Sequence, residues 1–205
     1  VIFNDYTQPN EALANKDIDA NAFQHGPYLE AQVAAHGYEI TPVIDTAIFP
    51  IGLYSKNYKS LADLPDGAVI GLPNDPSNGG RALKVLEQLG LITLNPEAGI
   101  LATVIDVTGN PRNFDLRELD AGVVGRAIDD LDAAVVNTDW AAKAGLLDFR
   151  IAQESGENNP YMNFIAVRTE DKDAPWVATL RTAFQSDAVK AAYASAYKGA
   201  AVPAW

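Results

Sequence analysis

The sequence predicts an α/β protein folded as two lobes. Three observations carry this. Strand-like and helix-like segments alternate through most of the chain, the pattern of α/β units with mainly parallel sheets. Two such runs occur, and a late strand, NFIAVRT, returns after the second. The chain has 205 residues and 48% hydrophobic composition, enough for one large core or two smaller ones.

The elements follow in order. VIFNDY reads as an apolar strand ending in Asn-Asp-Tyr. NEALANK reads as a short helix with Pro9 at its start, IDANAF as a strand, and PYLEAQVAAHG as a helix opened by Pro27 and stopped by Gly37. Leu29 and Val33 share a face of that helix, and His36 at its end is a favourable C-terminal charge. TPVIDTAIFPIGLYS is one long extended stretch. KSLADLPDG then gives a helical turn ending at Gly67, AVIGLP a buried strand, and SNGGRALKVLEQLG a helix with Ala82, Val85, Leu86 and Leu89 toward the core. ATVIDVT, FDLREL and AAVVNT read as strands and AGVVGRAIDDL as a helix. APWVATLRTAFQ and DAVKAAYASAYKG are closing helices, and the polar QESGENNP (153–160) is a surface loop. The predicted lobes are residues 1–55 plus 162–205, and 56–161, joined by crossovers near 54–58 and 159–163. A crevice between such lobes is a natural small-molecule site.

Composition excludes several functions. With 15 basic and 27 acidic side chains the net charge is -12, which repels nucleic acid and anionic lipid alike. No apolar run approaches the ~20 residues of a membrane span. No signal-peptide pattern is present, and an opening directly on a strand is compatible with a leader already removed. Cysteine is absent and only His25 and His36 are available, so disulfides, thiol chemistry and a histidine-based metal site are not expected. No cofactor motif is found.

The residues that point to binding lie at element ends. Tyr6, Phe23 and His25 place three rings at the ends of the first two strands, where α/β proteins receive ligands. Such rings suit a thioether or aliphatic tail, with sulfur–ring contacts of roughly 0.3–1.5 kcal/mol; they also fit ordinary core positions. GLPNDPSNGGRAL (71–83) runs from a strand into a helix whose first amides attract an anion. Arg81, in or near that first turn, opposes the helix dipole by up to ~1 kcal/mol. Either it grips a ligand carboxylate with a bidentate fork, or it is solvated while Ser77 or Asn78 caps the helix. On the first reading, its removal leaves the ligand-free fold intact or slightly steadier, since a cation is taken from a helix N-terminus. The lysine of a phosphate loop is missing after Gly79-Gly80. Asn137 and Asn163, at strand ends, suit a ligand carrying both ammonium and carboxylate, or simply close turns. No nucleophile elbow or carboxylate pair stands out, so an enzyme is not expected.

In sequence order, FNDYTQPNEALANKDIDANAFQH, GLPNDPSNGGRALKVLEQLGLI, AAVVNTDWA, NPYMNFIAVR and AVPAW resemble the methionine-binding lipoproteins of ABC importers, the MetQ/NlpA family, across nearly the whole chain. The resemblance implies a type 2 periplasmic-binding-protein fold and a receptor that delivers methionine to the permease and ATPase of a transporter. It implies a periplasmic or cell-envelope location, with membrane attachment only through an N-terminal lipid anchor. By the same resemblance, Tyr6, Phe23 and His25 surround the methionine side chain, Asn78 and Arg81 hold its α-carboxylate, and Asn137 and Asn163 hold its amino and carboxylate groups. The family pattern also has a strand and helix before the segment equivalent to VIFNDY, so the first lobe is expected to lack them, leaving a strand slot open to exchange with another chain. The alternatives are a ligand-sensing effector domain, or a receptor for another small amino acid or a methionine-containing dipeptide.

Overall fold

A computed structural model describes residues 1–155 and 159–205. Residues 156–158, inside the expected polar loop, lie outside the described residues. The chain divides into two compact units: Val1–Phe49 with Gly156–Trp205 (unit 1), and Pro50–Ser155 (unit 2).

The opening segment forms no strand. Asp5 explains the correction: its carboxylate accepts the amides of Thr7 and Gln8 at 2.8 and 2.9 Å, turning the chain into a helix. Burial works against that carboxylate's charge, but the bonds from Gln8 and Thr7 hold it below the usual aspartate range. Helix α1 is Gln8–Ala14, strand β1 Asn21–His25, helix α2 Gly26–His36 and strand β2 Ile40–Ile48. Gly37 ends α2 at φ +71°, the left-handed cap that its sequence position predicts.

Pro50 divides the expected long extended stretch, and Gly52–Tyr54 is a separate strand, β3, in another sheet. Unit 2 continues with β4 (Val69–Pro73), α3 (Pro76–Gln88), β5 (Thr93–Leu94), β6 (Val107–Gly109) and β7 (Asp115–Leu119). Next come α4 (Ala121–Val124), β8 (Ala133–Val136), α5 (Thr138–Lys143) and β9 (Arg150–Gln153). Unit 1 then adds β10 (Met162–Arg168), α6 (Pro175–Phe184), α7 (Asp187–Ala196) and β11 (Val202–Pro203). Helix α5 and strands β9 and β11 are too short for periodicity to find. The expected strand ATVIDVT is half 3-10 turn, because Thr103 and Asp106 cap each other reciprocally.

The expectation of mainly parallel sheets fails. The sheet of unit 1, ordered β1-β10-β2-β11, is antiparallel at every pairing. Unit 2 has the order β7-β4-β8-β3-β9, with parallel pairing only of β4 to β7 and to β8. Strands that return from the other unit arrive without a crossover helix, and so pair antiparallel. The unit boundaries also fall at 49/50 and 155/156, not at the expected 55/56 and 161/162. The reason is that β3 bonds to β8 and β9, which assigns residues 52–54 to unit 2.

Each unit has a buried cluster of its own. In unit 2, Ile70 and Leu72 of β4, Leu83 and Leu86 of α3, and Val135 of β8 are at most 1% exposed and pack in one cluster. In unit 1, Leu13, Leu29, Ile40 and Phe164 form another.

Candidate functional site

In unit 1, β1 and the caps of α1 and α2 bring the predicted rings together. Tyr6 and Phe23 lie 5.7 Å apart between centroids, and each meets Tyr28 edge-on at 5.8 Å. His25 stands 6.3 Å from Tyr28 and 4.9 Å from Tyr161. These are the tilted and edge-on geometries that aromatic quadrupoles favour. His25 is buried and has a local job: its Nδ1 accepts the Tyr28 amide at 3.2 Å, capping α2. That bond puts the proton of the neutral ring on Nε2. Tyr28 donates its hydroxyl to the Tyr6 carbonyl at 2.7 Å, fixing the turn that carries Tyr6. Asn163 faces His25 across the β1–β10 ladder, and its Nδ2 donates to the Phe23 carbonyl at 3.3 Å.

Behind the rings lies a knot of buried amides. Asn10 and Gln24 exchange hydrogen bonds at 2.8 and 2.7 Å, and Asn21 donates to Asn10 at 3.0 Å. This closed network locks α1 onto β1, so the backbone bearing Phe23 and His25 has little freedom.

In unit 2 the polar candidates meet at the start of α3. The helix is capped by Asp75, rather than by Ser77 or Asn78: Asp75 accepts the Asn78 amide at 3.0 Å and the Asn78 side chain through both oxygens at 3.0 Å. The anion that satisfies this helix start is therefore the chain's own carboxylate. Gly79 and Gly80 serve close packing. A Cβ on Gly79 would lie 2.9 Å from the Pro73 carbonyl, and one on Gly80 only 2.3 Å from that of Ile100.

Arg81 is the sixth residue of α3, one turn beyond the expected place, and it is 3% exposed rather than solvated. Its Nε donates to Glu154 Oε2 at 3.0 Å, and its Nη2 donates to Glu154 Oε1. Glu154 is itself 6% exposed. A carboxylate of the protein's own, Glu154, thus engages this arginine. Removing Arg81 would strand a buried charge, which corrects the expectation that the ligand-free fold is indifferent to it.

Asn137 follows β8 and leaves α5 without a side-chain cap. It donates instead to Asn78 Oδ1 at 2.8 Å, joining the two predicted asparagines directly. Its own Oδ1 is buried and accepts no hydrogen bond among the described residues. A buried amide oxygen without a donor is costly, and a ligand ammonium would satisfy it.

The profile of the NlpA lipoprotein family matches residues 1–205. The chain belongs to the NlpA lipoprotein family. Among its relatives, the D-methionine-binding lipoprotein MetQ of Escherichia coli K12 is 46% identical, over the whole of this chain and 77% of that protein. A nutrient binding protein from Burkholderia cenocepacia, solved bound to methionine, is 48% identical with a TM-score of 0.96, covering all of this chain and 87% of that one. A periplasmic substrate-binding protein of an ABC transporter from Coxiella burnetii is 43% identical with a TM-score of 0.94, covering all of this chain and 86% of that one.

In this NlpA-family chain the structure gathers Tyr6, Phe23, His25 and Asn163 in unit 1, and Asn78, Arg81 and Asn137 in unit 2. Sequence reasoning missed Tyr28, Tyr161, Asp75 and Glu154. Tyr28 was findable, lying three residues after His25 at the start of a helix. Glu154 was not: it sits in a polar stretch and meets Arg81 across 73 positions. Among the described residues, no cluster of His, Asp and Glu could hold a metal ion.

Proposed function

We propose that this chain is an extracytoplasmic receptor that binds methionine and delivers it to an ABC transporter. The observation that carries the reading is the whole-chain likeness, at 48% identity and a TM-score of 0.96, to a protein solved with methionine bound. The two clusters supply the chemistry such a ligand needs. Tyr6, Phe23 and His25, backed by Tyr28 and Tyr161, form a polarisable wall for a thioether tail. Arg81 and Asn78 take the α-carboxylate, and Asn137 Oδ1 takes the ammonium. Asn163, beside His25, serves the same amino-acid head. The protein carries and releases its ligand without chemical change. Its place is the cell envelope, held by a lipid anchor: the family is one of lipoproteins, and among the described residues no helix is long and apolar enough to cross a membrane. The transporter partner is a permease and ATPase complex.

The test is native mass spectrometry on protein unfolded, dialysed and refolded to strip carried ligand. Challenged with an equimolar mixture of methionine, leucine, glutamine and glutamate, it is expected to gain the mass of methionine. Preferential capture of glutamate, or no capture at all, would overturn the reading.

A further inference from the structure

We infer that Glu154 is the positioning residue of the ligand-carboxylate site, acting through Arg81. The inference rests on the functional reading above and assigns a role to a residue outside its ligand contacts. Glu154 is buried, follows β9 directly and is held on two sides. Its Oε1 accepts the Ile51 amide at 3.0 Å, and its own amide donates to the Ile51 carbonyl at 3.0 Å. A carboxylate anchored in this way to backbone has almost no rotational freedom. It engages the guanidinium by the edge formed by Nε and Nη2.

A guanidinium is planar and has two edges that can pair with a carboxylate, Nε with Nη2 and Nη1 with Nη2. Fixing the first edge fixes the plane and direction of the second. The ordering of a long flexible side chain is then complete before ligand arrives, which reduces the entropy lost on binding. Glu154 also makes a buried arginine tolerable in the ligand-free protein, where an unpaired cation at 3% exposure would be strongly unfavourable.

The charge count sharpens the ligand class. Among the described residues the cluster holds one cation, Arg81, against two carboxylates, Glu154 and Asp75. It has no surplus positive charge to offer a dicarboxylate. A ligand whose own ammonium offsets its carboxylate adds no further negative charge to the site, and Asn137 Oδ1, which has no partner among the described residues, accepts from that ammonium. Glu154 therefore favours a free, zwitterionic α-amino acid.

The experiment is titration calorimetry with methionine and methioninamide on the parent, Glu154→Gln, Glu154→Asp, Arg81→Ala and the Arg81→Ala/Glu154→Gln double variant. Glu154→Gln is expected to weaken methionine binding at least about tenfold, the scale of one charge-assisted hydrogen bond. Methioninamide, which has no carboxylate to position, should change less than about threefold on the same scale. In the Arg81→Ala background, Glu154→Gln should add nothing, because the two act as one unit. Glu154→Asp, which keeps the charge but shortens the reach, should lose methionine affinity to a lesser degree, and it carries the test if Glu154→Gln does not fold. Parallel losses for both ligands, full additivity with Arg81→Ala, or an unchanged methionine affinity would overturn the inference while leaving methionine binding by the parent in place. A parent that binds no methionine would overturn the functional reading and this inference together.

Discussion

The ring cluster of unit 1 and the polar cluster of unit 2 are assembled by different routes. Four of the five rings lie within 23 positions of one another, at 6, 23, 25 and 28, and are set by local devices. Asp5 turns the chain, His25 caps α2, and the Tyr28 hydroxyl holds the Tyr6 carbonyl. The polar cluster draws on α3, the end of β8 and the end of β9, with Asp75 satisfying the start of α3 and Glu154 pairing with Arg81. Apolar surface needs only proximity to be useful, because its attraction is non-directional. A buried charge needs a partner at all times, so a cluster that is to receive a ligand carboxylate, as proposed for this one, must carry its own counter-ion.

The largest effect expected from this contrast falls on Arg81. Arg81→Ala should weaken methionine binding by about two to three and a half orders of magnitude, from the ~3–5 kcal/mol of breaking a buried pair. It should also cost the ligand-free protein several kcal/mol, because Glu154 is left buried and unbalanced. Calorimetry and urea unfolding read the two consequences separately. Lost binding at unchanged stability would restore the view of Arg81 as a residue waiting only for ligand.

Gly80→Ala probes the same half through packing. Its new methyl would meet the Ile100 carbonyl at 2.3 Å, so the α3 start must shift, at about 1–3 kcal/mol. Thermal melting should show the loss, and an unchanged midpoint would mean that the α3 start is free to adjust.

In the ring half, Tyr28→Phe removes the hydroxyl bond to Tyr6 and keeps the ring contacts. A loss of about 1 kcal/mol is expected, with methionine affinity down a few-fold. A hundredfold loss would show that the rings depend on directional bonds as much as the polar half does. The smallest effect concerns metal: EDTA should leave methionine binding unchanged, since among the described residues no cluster of His, Asp and Glu could hold a metal ion. Loss on chelation, restored by zinc or calcium, would contradict the description of both clusters.

The same contrast explains what the sequence revealed. The α/β class, α2 with its Gly37 stop, β4 and the core face of α3 were legible because periodicity and capping are local signals. Tyr6, Phe23 and His25 stood out for the same reason. VIFNDY misled because its apolar start imitates a strand, while Asp5 turns the chain. The sheet directions were misread because antiparallel returns between units leave no mark in composition. Of the two readings open for Arg81, a ligand's carboxylate or solvent, neither names Glu154, because that partner lies 73 positions away in a stretch that reads as plain surface.

The most direct test of the account is a crystal structure with methionine, phased to show sulfur by anomalous scattering. The chain has one methionine and no cysteine, so the protein contributes a single sulfur peak, at Met162. The account predicts one further peak, about 5 Å from the rings of Tyr6, Phe23 and His25, the distance of sulfur–aromatic contacts, with the ligand carboxylate on Arg81. A second peak beside Asn78 and Arg81, with the carboxylate among the rings, would contradict it.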